Sequence, residues 1–136
     1  VRMGVLKIIF GIILGLAIGV GVVFLGEMLN HQLWPPPEEL NVTNPEAVRA
    51  YLETAPLPAL VGLPLVWTVA AGLGAFAAAK VAGHVWAGWL VGALLFAATA
   101  LNLAFIPHPL WMLVASVTCV PLAGFFGAQF GRPATA

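Results

Sequence analysis

Residues 81–131, VAGHVWAGWLVGALLFAATALNLAFIPHPLWMLVASVTCVPLAGFFGAQFG, run for 51 residues without an Asp, Glu, Lys or Arg. An α-helix rises about 1.5 Å per residue and the hydrocarbon core of a bilayer is about 30 Å thick, so about 20 residues make one crossing. A stretch of this length crosses twice. It turns at Ile106-Pro107-His108-Pro109, where two prolines remove amide donors and disfavour helix at the residues before them. Working outward, Leu57–Ala79 and Ile8–Gly26 are also free of charge, and each fits one crossing. The spans are therefore expected at about 5–33, 57–80, 84–105 and 109–131, with a loop at 34–56. The fold class is all-α: a polytopic membrane protein, one domain over 1–136, built as a bundle of four transmembrane helices.

Composition agrees. The chain is 62% hydrophobic and 7% charged, with five basic residues against five acidic ones. An ordinary soluble domain is about 25% charged, which excludes a soluble globule. Nucleic-acid binding is excluded with it, since no basic patch exists to neutralise phosphates. A single cysteine rules out an intramolecular disulfide framework and a cysteine-based zinc site.

Lysine and arginine give an orientation. Arg2 and Lys7 precede the first span, Lys80 lies between the second and third, and Arg132 follows the fourth. With four spans these places share one side. The opposite side holds Arg49 among Glu38, Glu39, Glu46 and Glu53. The positive-inside rule then puts both termini in the cytoplasm and the 34–56 loop outside. The first span is read as retained, because its apolar run exceeds a signal-peptide core and no convincing cleavage site follows it. Val1-Arg2-Met3 is compatible with a start at either Val1 or Met3. Asn41-Val42-Thr43 is formally a glycosylation sequon, which matters only in a eukaryotic secretory pathway.

Small residues are expected to set the packing, because lipid offers no hydrophobic drive for helix association. Gly11, Gly15 and Gly19 recur every fourth residue in the first span; Gly74 sits among Ala70, Ala71, Ala75, Ala78 and Ala79 in the second. Gly88 and Gly92 mark the third, and Gly127 the fourth beside Ala123 and Gly131. These ridges either pack one compact bundle or, in the sharper reading, leave the ridge of the first span for another copy or another protein. Pro64 and Pro121 lie inside spans and shape them, with Thr68 and Thr118 near enough to help the carbonyls they free. Trp67, Trp86, Trp89 and Trp111 are read as interfacial aromatics, and Cys119 as an inert thiol.

In the loop, Trp34-Pro35-Pro36-Pro37 is expected to leave the membrane as stiff polyproline II. Thr43-x-x-Glu46 matches a capping box and Pro45 suits a first helical turn. A short amphipathic helix near 45–54 follows, with Ala47, Val48, Tyr51 and Leu52 on its apolar side, lying on the bundle.

The polar residues of the spans gather at one level. Glu27, Asn30, His31 and Trp34 share one face at the outer end of the first span. Asn102 sits at the outer end of the third, and His108 in the outer turn. Three readings compete. In the structural one, Glu27 pairs with His31, and Asn30 and Asn102 bond backbone groups freed at the turns. In the second, the cluster is a proton or solute site, since an ionisable residue within a span is a functional hypothesis by default. In the third, Glu27, His31 and His108 hold a metal such as zinc or iron, although their spacing matches no specific metal motif. No phosphate-cradling loop, nucleophile elbow or catalytic triad can be drawn, so no enzyme and no cofactor is expected.

Asn30-His31 running into Trp34-Pro35-Pro36-Pro37, Asn44-Pro45-Glu46-Ala47 followed by Ala50-Tyr51, and Asn102-Leu103 leading to Ile106-Pro107-His108-Pro109-x-Trp111 resemble a group of short four-span bacterial inner-membrane proteins without an established activity. The resemblance covers most of the chain. It implies topology and an inner-membrane location, and no substrate.

The expected function is accordingly that of a structural or accessory membrane protein, partnered by the bilayer and by other copies or a larger complex through its small-residue faces. The alternative is a small oligomeric, proton-coupled transporter of a solute or metal ion that uses the Glu27, His31 and His108 region.

Overall fold

Proline and glycine decide where the helices stop. A computed structural model describes residues 1–134 and contains five helices: α1 Arg2–Leu33, α2 Pro45–Thr54, α3 Leu57–Ala82, α4 Val85–Phe105 and α5 Leu110–Phe130. Among the described residues there is no strand. α1 ends just before Pro35-Pro36-Pro37, whose rings supply no N–H to continue it. α3 ends at Gly83, which adopts φ 73° and closes the helix by donating its N–H to the Ala79 carbonyl at 3.0 Å. That left-handed cap suits glycine, which has no Cβ to clash, and only Gly83 and His84 separate α3 from α4. α4 and α5 are separated by Ile106–Pro109, as the two prolines require. α1, α3, α4 and α5 are each long and apolar enough to cross a membrane.

α2 starts one residue later than a cap at Thr43 would place it. Its cap is Asn44, whose Oδ1 accepts from the N–H groups of Glu46 at 3.0 Å and Ala47 at 3.5 Å. Pro45 fixes this, since it occupies the first helical position and leaves Asn44 as the residue before the helix. Thr43 instead donates both N–H and Oγ1–H to Asn41 Oδ1. The apolar side of α2 falls as the periodicity requires: Leu52 is buried against Leu60 of α3 and Met112 of α5, flanked by Val48 and Tyr51.

The four long helices form a diamond in section. α3 touches α1, α4 and α5; α4 touches α5 and, more lightly, α1. α1 and α5 therefore stand at opposite corners, across the short diagonal of α3 and α4. Glycine decides how close the helices come. A Cβ at Gly15 would lie 2.5 Å from the Gly74 carbonyl oxygen and 2.7 Å from Ala78 Cβ; one at Gly11 would lie 2.7 Å from the Ala82 nitrogen. Gly88 faces the Ala75 carbonyl and Ala128, Gly92 faces Gly124, Gly127 sits on the Gly72 carbonyl, and Gly19 meets Leu95. Every ridge thus faces a helix of the same chain. Gly11, Gly15 and Gly19 are the buried residues of α1, so this ridge is not left over for another copy, contrary to the sharper expectation.

Two further expectations need correcting. Thr68 Oγ1 donates to the carbonyl of Pro64 itself, at 2.6 Å, rather than to that of Leu60, which the proline ring frees; a hydroxyl reaches its own i−4 carbonyl most easily. Trp67 is not an interfacial aromatic. It is 5% exposed, whereas Trp86, Trp89 and Trp111 are 45%, 44% and 40% exposed.

Candidate functional site

An indole buried in a span carries an N–H that needs an acceptor, and a carboxylate in a span needs a donor. α1 and α3 bring the two together: Trp67 Nε1 donates to Glu27 Oε1 at 3.1 Å. Glu27 lies near the C-terminal end of α1, a helix of 32 residues and hence about 48 Å long, well beyond a hydrocarbon core of about 30 Å. The carboxylate therefore belongs to the level at which α1 leaves the core. His108 also packs on the indole, its ring centroid 5.8 Å from that of Trp67 and nearly perpendicular at 79°. Glu27, Trp67 and His108 line one cavity at the end of the bundle that carries α2.

His108 is held by its own turn. Its Nδ1 lies 2.9 Å from the Ile106 carbonyl. A carbonyl can only accept, so Nδ1 carries the proton and Nε2 of the neutral ring keeps its lone pair. Burial lowers the His108 pKa below the usual 6.5, and the bond to Ile106 opposes that shift in part.

Two cavities are lined in part by the same residues here. The upper one, about 290 Å³, is roofed by the loop and α2; Leu40, Val42, Val48, Tyr51 and Leu52 form its walls. Glu27, His31, Trp67, Asn102 and His108 also line it. The lower one, about 280 Å³, lies between α1 and α4 over a floor of Trp67 and Ala70, and shares Glu27, Trp67 and Asn102 with the upper. Its existence follows from the light contact of α1 with α4. Asn102 lines both cavities, while its Oδ1 is buried without a hydrogen-bond partner, an arrangement that costs about 1–3 kcal/mol for a polar group.

The expected cluster is thus partly assembled. Glu27, His31, Asn102 and His108 line one chamber. Asn30 does not: its Nδ2 donates to the Ala59 carbonyl at 3.0 Å, and its Oδ1 lies where a Cβ at Gly62 would be, so it clips α1 to α3. Glu27 bonds Trp67 rather than His31, which is exposed. The metal trio of Glu27, His31 and His108 is not brought together, for among the described residues no three acidic, histidine or cysteine side chains could hold one ion. The physical reason is that Glu27 is turned onto an indole that itself stands against His108. Trp67 and Tyr51 are the site residues that sequence reasoning placed elsewhere, one in an interfacial belt and one on the apolar side of α2.

The chamber has a definite chemical character. Of the residues lining the two cavities, Glu27 is the one acid, His31 and His108 are the bases, and neither Lys nor Arg takes part. The second carboxylate oxygen of Glu27 is an acceptor, and Asn102 and His108 line the same chamber. No family model matches the chain, and no curated protein or solved structure matches it either.

Proposed function

We propose that this chain is a bacterial inner-membrane protein, with both termini in the cytoplasm, that binds a small organic ammonium ion in the chamber at its α2 end. The observation that carries the reading is the Glu27 carboxylate, which is bonded to Trp67 Nε1 through one oxygen and lines both cavities among mostly apolar walls. An ammonium group supplies N–H donors in several directions and the positive charge that a carboxylate in a span needs. The apolar walls suit the organic body attached to it, as pockets for small molecules are mostly apolar with a few placed polar groups. This is the solute reading of the cluster, and it assigns no bond-making chemistry and no cofactor.

The orientation rests on Arg2, Lys7, Lys80 and Arg132 at one end of the bundle and four glutamates with Arg49 at the other. An accessory role through small-residue faces finds less support, because those faces are occupied within the chain. Association with another copy or a larger complex would have to use large outward side chains such as Phe10, Phe24 and Phe126.

The test is binding of butylamine to the purified protein in nanodiscs, read from tryptophan emission and by calorimetry. Saturable binding is expected for the wild type, with at least a tenfold loss in Glu27→Gln. Absence of saturable binding, or equal binding by Glu27→Gln, would reject the proposal.

A further inference from the structure

A third cavity, about 510 Å³, opens on the surface between α2 and the 106–109 turn. It joins two charged side chains, Arg49 and Glu53 of α2, to the apolar Leu60, Pro109 and Trp111. Arg49 and Glu53 stand one helical turn apart, a spacing at which opposite charges can pair. Both are exposed, and among the described residues no ion pair joins them. Arg49 is also the one basic residue of the 34–56 loop, which carries four glutamates. The depth of the cavity follows from the helices beneath it. α4 and α5 have 21 residues each, hence a length of about 31 Å, which matches a hydrocarbon core of about 30 Å. The turn that joins them therefore lies at an edge of that core, at the level of the phospholipid headgroups. Trp111, 40% exposed in the first turn of α5, stands where interfacial tryptophans gather.

We infer that this cavity seats the headgroup of an ethanolamine phospholipid, with its phosphate against Arg49 and its ammonium against Glu53. A cation and an anion one turn apart complement a headgroup that carries both signs on a two-carbon link. The ammonium donates N–H bonds to a carboxylate, which the fully methylated choline nitrogen cannot do. A glycerol headgroup offers Glu53 no positive charge at all. The acyl chains of any phospholipid stay in hydrocarbon whether the headgroup is seated or not, so the headgroup alone sets the preference. The site is independent of the Glu27 chamber, since it uses neither Glu27 nor Trp67. A soluble glycerophosphodiester of ethanolamine carries the same two charges. The level of the cavity at the membrane edge favours the lipid as their source.

The experiment is native mass spectrometry of the full chain in detergent, titrated with dioleoyl phosphatidylethanolamine, phosphatidylcholine and phosphatidylglycerol. Identical chains leave the headgroup as the one variable. The wild type should bind the ethanolamine lipid about fivefold tighter than the choline lipid, as fits a charge pair at an exposed site. Glu53→Gln should erase that preference, Arg49→Gln should weaken all three lipids, and Glu39→Gln, on the loop outside the cavity, should change neither. Equal binding of the ethanolamine and choline lipids by the wild type, or a preference that persists in Glu53→Gln, overturns the inference. So does tighter binding of the glycerol lipid than of the ethanolamine lipid. Displacement of the bound lipid by glycerophosphoethanolamine at matched concentration overturns the lipid as the source. A preference that Glu27→Gln abolishes and Glu53→Gln leaves intact would move the ethanolamine to the chamber and reject this site. Arg49 and Glu53 are exposed, so both variants should fold, and a failure of one leaves the other to decide.

Discussion

Trp67 Nε1 and Glu27 Oε1, forty residues apart in sequence, are joined by a hydrogen bond of 3.1 Å that ties α1 to α3 beside the two cavities both residues line. The bond resolves two needs at once, since a buried indole N–H and an intramembrane carboxylate would each be costly alone. It uses one carboxylate oxygen and leaves the second for the ammonium group proposed above.

The first prediction follows from that bond. Glu27→Gln keeps an acceptor for the indole and removes only the charge, so stability in detergent should fall by about 1 kcal/mol. Glu27→Leu leaves the indole N–H buried without a partner and should cost about 1–3 kcal/mol. In the Trp67→Phe background, Glu27→Leu should be much milder, and the double-mutant cycle measures the coupling. Additive effects would mean that the two residues do not depend on each other.

How far such a pair was legible in the sequence is instructive. The spans, the turn at Ile106–Pro109 and the short helix at 45–54 follow from charge, proline and hydrophobic periodicity, which act locally. Glu27 and Trp67 were visible as a lone carboxylate and a tryptophan ten residues into its span, and their mutual need could have been inferred. What periodicity does not carry is which helices are neighbours. One helix face therefore offers Glu27 the partner His31, and a lone tryptophan in a span reads as part of the interfacial belt. The Gly–Gly contacts were legible as ridges but not as pairs, because any ridge of small residues fits any other. Asn30 looked like a member of the polar cluster for the same reason: its level was right, while its direction depends on α3 and on the gap at Gly62.

Gly15 gives the second prediction. Its missing Cβ is met by the Gly74 carbonyl at 2.5 Å and by Ala78 Cβ at 2.7 Å, so a side chain there pushes backbone against backbone. Gly15→Leu should destabilise by about 1–3 kcal/mol or more. Gly21 has nothing within 4 Å of a built Cβ, and Gly21→Ala should be neutral or slightly stabilising, as alanine favours helix. Because the ridge is internal, Gly15→Leu should change melting without changing the assembly state of whatever remains folded. A shift of oligomeric state in size-exclusion chromatography with unchanged melting would contradict this packing.

His108 predicts a pH dependence with a definite sign. Its pKa in the folded protein is lowered below 6.5 by burial, so the unfolded chain takes up a proton more readily than the folded one. The neutral histidine therefore contributes its full stability above pH of about 6.5, and that contribution is lost as pH falls through 6.5 towards the lowered native value. His108→Asn keeps a donor for the Ile106 carbonyl and does not titrate. Melting temperature measured from pH 7.5 to 5 should drop for the wild type and drop less for His108→Asn. Glu27 and His31 line the same chamber, and Arg49 and Glu53 line the neighbouring surface depression; all four remain in the variant, so the difference between the two curves isolates His108. Parallel curves would show that His108 carries none of the dependence.

The last prediction concerns sidedness, on which the route to the chamber depends. α2 lies between α1 and α3 in sequence, so it shares an end with the 106–109 turn, while the start of α1, the end of α5 and the Gly83–His84 turn lie at the other end. Arg2, Lys7, Lys80 and Arg132 cluster with the latter, and an excess of basic residues in short connections marks the cytoplasmic side. In a Cys119→Ala background, single cysteines at Glu39 or Glu53 should react with a membrane-impermeant maleimide added to intact cells, and cysteines at Lys80 or Arg132 should react only after lysis. Glu39 and Glu53 are exposed on the loop and on α2, and Lys80 and Arg132 are exposed at the far end, so lack of labelling cannot be ascribed to burial. If position 80 labels from outside and position 39 does not, the bundle is inverted. The chamber would then face the cytoplasm, and ligands added outside whole cells should reach it only through the bilayer.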